Sequence, residues 1–379
     1  MKNIGIVCEY NPFHRGHAKQ IAFVNGQGAS VCLMSGNYVQ RGEPAILDKY
    51  VRAKAAVMGG ANLVLELPLT YAIASAEGFA DGAVEIFTQL GCMDGLCFGS
   101  ESGDAEQHWR TAELLRSEAF PEYLHRELDK GLSFPRARQL ALEAMGGVGT
   151  VLPNDILAVE YCKALQARNS KMEPLVLKRE GDYHGGGDLE NPSASFLRTR
   201  ESWEDYLPKE AWEAMKDAPR YRLEAGERAV LAILRQKQDW ETVPYGSEGL
   251  WRKVCSAVRQ EAGLEDILEA SKSKRYTRSR LMRLLLCAFL GITTEDLKRP
   301  ASYVRVLAAD ETGRAVLRQM RKTTQIPLIH PGEAATDEVY GELERRAEDL
   351  FALFCVNQLP RAGEMERARV FLKNISPKC

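Results

Sequence analysis

The sequence lacks most of the features that assign a chain quickly to a special class. Its nine cysteines include no Cys-x-x-Cys pair. That argues against a zinc ribbon or a disulfide framework and for a reducing, cytoplasmic setting. Its longest apolar run, Leu284 to Ile292, is too short to span a bilayer, so no membrane partner is expected. Met1–Val7 has no long apolar core or cleavage site of a secretory signal and reads as a strand. Charge of one sign is missing too. With 50 Lys and Arg against 52 Asp and Glu, the net charge of −2 names no partner by itself. No internal repeat or low-complexity segment is visible.

What remains is a chain of 379 residues, 45% hydrophobic, which exceeds the size at which one core stops growing. The first half alternates strand and helix. Asn3–Cys8, Ser30–Met34, Asn62–Leu67 and Gly95–Phe98 are short apolar runs of the kind buried in a parallel sheet. Helical segments between them, such as Asp48–Met58 and Ala74–Leu90, predict right-handed βαβ units and an α/β fold. Three amphipathic helices between Glu106 and Met145 interrupt the rhythm. Pro153–Arg168 is a further helix, Pro174–Lys178 a strand, and Ser193–Trp203 another helix. From about Leu207 the pattern is almost entirely helical, up to Ala334–Phe354. The expectation is a Rossmann-like domain over residues 1–200 and a mostly α-helical domain over 201–379.

The chemistry is most legible in Glu9-Tyr10-Asn11-Pro12-Phe13-His14-Arg15-Gly16-His17. This loop leaves the carboxyl end of the first strand, the edge where α/β sheets bind ligands. It enters a helix N-terminus, whose free N–H groups and dipole favour phosphate. His14 and His17 are suited to donate to that phosphate, Gly16 leaves room for a nucleotide, and Lys19 adds charge one turn on. Two surface histidines flanking a turn are the bland alternative. Zinc is disfavoured, because His-x-x-His offers only two ligands and nothing nearby completes a set.

Asn11–His17 resembles the HxGH motif of the nucleotidyltransferase superfamily. Ile6–His14, Met34–Ala45, Cys97-Phe98-Gly99-Ser100-Glu101 and Lys274-Arg275-Tyr276-Thr277 narrow the match. Together they resemble the bacterial tRNA(Met) cytidine acetate ligase family over essentially the whole chain. The resemblance implies a Rossmann-like HxGH domain that uses ATP with Mg²⁺, and no acetyl-CoA, to activate acetate as acetyladenylate. The acetyl group then passes to N4 of the wobble cytidine in the anticodon loop of elongator tRNA(Met). It also implies an ATP-binding stretch of Val7, Cys8, Glu9, Tyr10, Asn11, Pro12, Phe13, His14, Arg15, Gly16, His17, Ala18, Lys19 and Gln20, with His14, His17 and Lys19 catalytic. Further nucleotide contacts map to Gly99, Asn154 and Arg179. Arg15 departs from the pattern, in which Asn is more usual between the first His and the Gly. On sequence alone, Gly99 also fits a tight turn and Asn154 a helix N-cap.

Two further loops carry polar groups. Ser193, Ser195 and Arg198 open a helix after a glycine-rich stretch, Gly181–Gly187, and make a phosphate clamp or an ordinary Ser-capped helix. Ser35, Asn37, Gln40 and Arg41 follow the second strand and suit an acetate or cytidine pocket. An ion pair with Glu43 is the alternative for Arg41. Charge is also uneven. Residues 271–330 hold thirteen Lys and Arg against four acids, a local surplus that suits RNA phosphates. Lys272, Arg275, Arg278 or Ser279, and Arg283 fall near one helical face beside Tyr276; Lys272, Lys274, Arg275, Tyr276, Arg278 and Arg283 are the expected tRNA contacts. A small-molecule adenylyltransferase needs no such patch, and a non-catalytic RNA-binding protein needs no intact HxGH. Both are alternatives to a tRNA acetate ligase.

Overall fold

The computed structural model describes residues 1–149, 152–179, 188–273, 275–333, 335, 337–357, 362–363 and 367–373. Gly181–Gly187 and Lys274 therefore lie outside the described residues.

In chain order the strands are β1 (Lys2–Cys8), β2 (Gly28–Ser35), β3 (Tyr38–Val39), β4 (Glu43–Pro44), β5 (Leu63–Leu67), β6 (Gly95–Ser100), β7 (Glu173–Lys178), β8 (Val304–Ala309), β9 (Leu328–Ile329) and β10 (Phe371–Leu372). The main sheet runs β10-β8-β5-β2-β1-β6-β7, with β9 beside β8. The run from β5 to β7 is parallel, with Ile6 of β1 opposite Cys32 on one side and Cys97 on the other. Every residue of β5 is buried, as helices on both faces of a parallel sheet require. β3 and β4 form a separate antiparallel hairpin.

The helices are α1 (Arg15–Asn25), α2 (Lys49–Met58), α3 (Leu69–Ala72), α4 (Ala76–Leu90), α5 (Ala105–Arg116), α6 (Phe120–Leu128), α7 (Phe134–Ala144), α8 (Pro153–Ala167), α9 (Ala194–Arg198), α10 (Lys209–Met215), α11 (Leu223–Gln236), α12 (Leu250–Gln260), α13 (Leu264–Ser271), α14 (Arg278–Leu290), α15 (Thr294–Lys298), α16 (Glu311–Thr323) and α17 (Glu338–Phe351). Side-chain caps fix many of their starts, among them Asp48 for α2, Ser75 for α4 and Thr277 for α14. Gly91 and Gly291 end α4 and α14 in the left-handed region, at φ 72° and 67°. One face of the sheet packs on α1, α2 and α10 through Ile21, Val57 and Met215. The other packs on α4, α8 and α16 through Phe87, Tyr161 and Met320. A third core holds α11–α14 and α17 together, around Leu231, Val254, Leu285 and Phe351. Among the described residues no helix is long and apolar enough to cross a membrane.

The structure amends several expectations. The C-terminal half is mostly helical but also supplies β8, which pairs antiparallel with β5 and carries β9 and β10 at its sides. The main sheet therefore draws strands from both sides of residue 200. Val304–Ala309 is a short run, apolar except for Arg305, and periodicity alone does not separate a buried strand from a buried helix segment. The helix expected over Ser193–Trp203 stops at Arg198, and the one expected from Ala334 starts at Glu338, capped by Asp337.

Candidate active site

β1 ends at Cys8, and the chain turns through Tyr10, at φ 47°, into α1. The side chains of Cys8, Tyr10 and Phe13 point inward. All three are buried, and the Tyr10 hydroxyl lies 3.2 Å from the Cys32 Sγ. Ala18 packs against the same core. In this part of the predicted ATP-binding stretch, side chains therefore build the loop, which leaves its backbone and the remaining polar groups available to a ligand. Val7 packs on the opposite core, Glu9 Oε1 accepts the Gln40 N–H at 3.0 Å, and Asn11 Oδ1 accepts the Ile46 N–H at 2.8 Å. The Asn11–Pro12 peptide is cis, and Gln20 Nε2 reaches the Cys97 carbonyl at 3.5 Å.

His14 is the N-cap of α1. Its Nδ1 accepts the Gly16 N–H at 3.1 Å, so in the neutral ring the proton sits on Nε2, a donor. The His17 ring stacks on it, with centroids 3.7 Å apart at 24°, and Tyr10 and Phe13 back His17. Burial holds the His14 imidazole down at about 3, with the positive charge of Arg179 adding to the shift. Burial also pushes His17 well below its ordinary value, helped by His14 and Arg179. Both rings are neutral at pH 7. A Cβ on Gly16 would lie 3.0 Å from the His14 ring, so the motif's glycine preserves the cap.

Gly99 and Arg179 come together on neighbouring strand ends. Gly99 pairs with Leu177, the Arg179 N–H bonds the Ser100 carbonyl at 2.8 Å, and a Cβ on Gly99 would stand 3.3 Å from the Arg179 Cγ. Asn154 is neither an N-cap nor free. Its Nδ2 donates to Glu101 Oε1 at 2.6 Å, and the Glu101 carboxylate also takes the backbone N–H groups of Asn154 and Asp155 at 3.2 and 2.8 Å. Asn154 therefore has its Oδ1 left to accept from a ligand. Glu101 was not singled out from the sequence, because its role depends on β6 and α8 meeting. Arg52 was missed for the same reason. It is fully buried in α2 and donates to the carbonyls of Glu9, Ser35, Gly36 and Leu47, tying the loops after β1 and β2 at their roots.

Residues 188–198 lie beside this loop. Arg15 bonds Glu190 at 2.9 Å, and Lys19 bonds Asn191 at 2.8 Å. Ser193 caps α9, Arg198 donates to Ser195 Oγ at 3.2 Å, and it also donates to the Asn11 carbonyl at 2.8 Å. The predicted clamp is thus joined to the HxGH loop. Of the second loop's residues, Asn37 Oδ1 accepts the Lys49 N–H, and the side-chain amide nitrogens of Asn37 and Gln40 are buried with no hydrogen-bond partner among the described residues.

The predicted tRNA contacts are not one helical face. Lys272 ends α13, and α14 starts at Arg278, so Arg275 and Tyr276 occupy the turn between two helices. Several charges are already engaged. Lys272 pairs with Glu269 at 3.1 Å, and Arg278 grips Glu265 with two bonds of 2.7 Å. The Tyr276 hydroxyl bonds Glu248 at 3.2 Å. Arg283 is turned inward, over Tyr245 and toward the Gln40 carbonyl at 3.3 Å. Arg275 is exposed.

A neutral histidine pair at a helix N-terminus, on the carboxyl edge of a parallel sheet, defines a nucleotidyltransferase of the HIGH class. The HIGH Nucleotidyl Transferase family model matches residues 1–366. Relatives named tRNA(Met) cytidine acetate ligase include one from Acetivibrio thermocellus, 36% identical over 364 residues, covering 87% of this chain and 88% of the relative. Another, from Caldanaerobacter subterraneus, is 36% identical over 360 residues with coverage of 87% and 88%. The crystal structure of Thermotoga maritima TmcAL bound with alpha-thio ATP is similar at TM-score 0.88 and 30% identity, covering 99% of this chain and all of that one. The chain belongs to the tRNA(Met) cytidine acetate ligase family.

Proposed function

We propose that this chain joins acetate to ATP and passes the acetyl group to N4 of the wobble cytidine of elongator tRNA(Met), in the cytoplasm and without acetyl-CoA. The observation that carries the reading is the stacked pair His14 and His17, neutral and set at the start of α1, with the positive charge of Arg179 acting on both rings. The names of its relatives and the ATP analogue in the Thermotoga structure support it.

In the first step an acetate oxygen attacks the α-phosphorus, the bond to the β-phosphate oxygen breaks, and pyrophosphate leaves. In the second, the cytidine N4 attacks the acetyl carbon, AMP leaves, and the amine loses a proton. His14 Nε2 is placed to donate to phosphate oxygen, and His17, Lys19 and Arg179 add donors and positive charge as negative charge grows. Gly99 keeps Arg179 in place, while the Asn154 Oδ1 accepts from the nucleotide's base or ribose. Ser193, Ser195 and Arg198 close the phosphate side. Lys272, Arg275 and Tyr276 form part of the RNA surface. Mg²⁺ would enter as part of MgATP, held by its phosphates, and would supply charge neutralisation there.

The test is incubation with MgATP, labelled acetate and bulk tRNA, followed by nucleoside analysis. Label in N4-acetylcytidine, dependent on ATP and acetate, is the expected result. Nucleotide transfer to a small molecule without RNA labelling would overturn the reading.

A further inference from the structure

We propose that an arginine cluster assembled from residues 198–200 and 220–222 beside the HxGH loop binds the phosphate backbone of the RNA substrate. The inference rests on the reading of the chain as a tRNA-acetylating enzyme and adds the surface nearest the chemistry.

The fold brings two segments to one place. The Arg222 side chain donates to the Arg198 carbonyl at 3.2 Å. The Arg220 guanidinium donates to the Arg200 carbonyl at 3.2 Å and to the Glu201 carbonyl. Both segments are tied to the catalytic loop. Arg198 bonds the Asn11 carbonyl, and the Tyr221 N–H bonds the Ile46 carbonyl at 2.9 Å, while the Ile46 N–H bonds the Asn11 side chain. A nucleic acid with one base in the active site would therefore pass this surface.

The chemistry suits phosphate. A guanidinium offers five N–H donors in a planar fork that matches phosphate oxygens, and the carbonyl bonds of Arg220 and Arg222 use only some of them. Arg200 lies over the Phe196 ring at 4.4 Å and Arg220 over the Trp203 ring at 4.2 Å, which fixes their planes. Arg200 and Arg222 are exposed. Arg200, Arg220 and Arg222 form no ion pair with a carboxylate among the described residues; the nearby Glu201 only adds an opposing field at Arg220. By contrast, Lys272 and Arg278 of the α13–α14 turn already hold carboxylates. Three neighbouring guanidiniums with no carboxylate paired to them among the described residues suit an external polyanion. That polyanion is RNA rather than the triphosphate, because the exposed pair extends outward from a loop whose histidines already serve the nucleotide.

The test uses the full chain with Arg200→Glu and Arg222→Glu together, elongator tRNA(Met) as the probe, and acetate-dependent ATP–pyrophosphate exchange as the control. The expected result is at least a tenfold loss of tRNA affinity at 100 mM salt. The dependence of log K on log salt should also become shallower by about 1–2, since each lost phosphate contact removes about 0.7–0.9. Exchange should stay within twofold of the parent. Arg200→Lys with Arg222→Lys should recover the salt slope. Arg200→Ala with Arg222→Ala keeps the test valid if charge reversal unfolds the chain. Unchanged affinity and slope would overturn the inference, as would a tenfold rise in the KM for ATP during exchange, which would assign the cluster to the nucleotide. A parent chain that neither binds nor acetylates tRNA would instead overturn the underlying function.

Discussion

His14 is a helix cap and, in the proposed mechanism, a phosphate donor, and the same hydrogen bond would serve both. Because Nδ1 is held by the Gly16 N–H, only Nε2 can carry the neutral ring's proton. His14→Ala should lower acetate-dependent ATP–pyrophosphate exchange by about 10²-fold or more, the scale of one lost transition-state donor. Unchanged exchange would remove His14 from the mechanism. The same residue predicts acid lability. Its folded pKa of about 3 lies below the unfolded value, so between roughly pH 6.5 and 3 the unfolded chain binds a proton that the folded chain refuses. Stability therefore falls as pH drops through this window, by at most about 1.4 kcal/mol per pH unit for this group. Urea unfolding from pH 7 to 4 should show a shallower decline in His14→Gln than in the parent; parallel declines would contradict the burial of the ring. At this scale the sequence was informative where one residue type does one job. His14, Gly16 and His17 were legible from spacing. That Cys8, Tyr10 and Phe13 turn into the core was not, because a loop sequence does not say which side chains face inward.

At the scale of elements, α8 illustrates how a site is shared between segments 53 residues apart in the chain. Its first turn opens with Pro153 and lacks a capping side chain of its own. The Glu101 carboxylate, at the end of β6, takes two of its free N–H groups and orients Asn154. Just behind it, buried Asp155 accepts from Ser100 Oγ at 2.6 Å and from the Glu101 N–H at 2.9 Å, so the two acidic residues lock strand end and helix start together. Glu101→Ala should cost about 1–2 kcal/mol in denaturant unfolding, the range of a lost cap. It should also raise the KM for ATP more than it lowers kcat, since Asn154 loses its anchor. A stability change with no effect on ATP would separate Asn154 from the nucleotide. A cap written within one element, such as Asp48 at the start of α2, lies next to the helix it caps; this one is supplied across the sheet and is invisible to local sequence. The arginine cluster escaped notice for a related reason. The six basic and six acidic residues between 198 and 222 cancel in any sliding count, and only the fold brings Arg220 and Arg222 beside the 198–200 segment.

Across the whole molecule, the sheet and the C-terminal helices are joined by buried charge. Lys49 of α2 lies 2.9 Å from Glu66 of β5 and 3.0 Å from Glu348 of α17. Arg305 of β8 lies 3.4 Å from Glu66 and 3.1 Å from Glu344, which also accepts the Tyr303 hydroxyl at 2.7 Å. All five charged side chains are buried. Three carboxylates against two cations leave one excess negative charge out of water, and burial accordingly pushes the Glu344 and Glu348 carboxyls up. This knot ties the catalytic sheet to the helical half through β8, the strand that sequence periodicity did not distinguish. Its two kinds of member should respond oppositely to neutralisation. Lys49→Met leaves Glu66 and Glu348 without their cation and should cost about 3–5 kcal/mol. Glu348→Gln keeps shape and removes the excess charge. A carboxyl whose folded pKa is raised binds its proton more tightly in the folded state. Its contribution is therefore complete below the unfolded pKa and is lost as pH rises through the folded one. Relative to the parent, Glu348→Gln should gain stability between pH 5 and 8, measured by urea unfolding at each pH. If both substitutions destabilise equally at pH 8, the knot behaves as balanced pairs, and the excess charge inferred from its composition is being neutralised elsewhere.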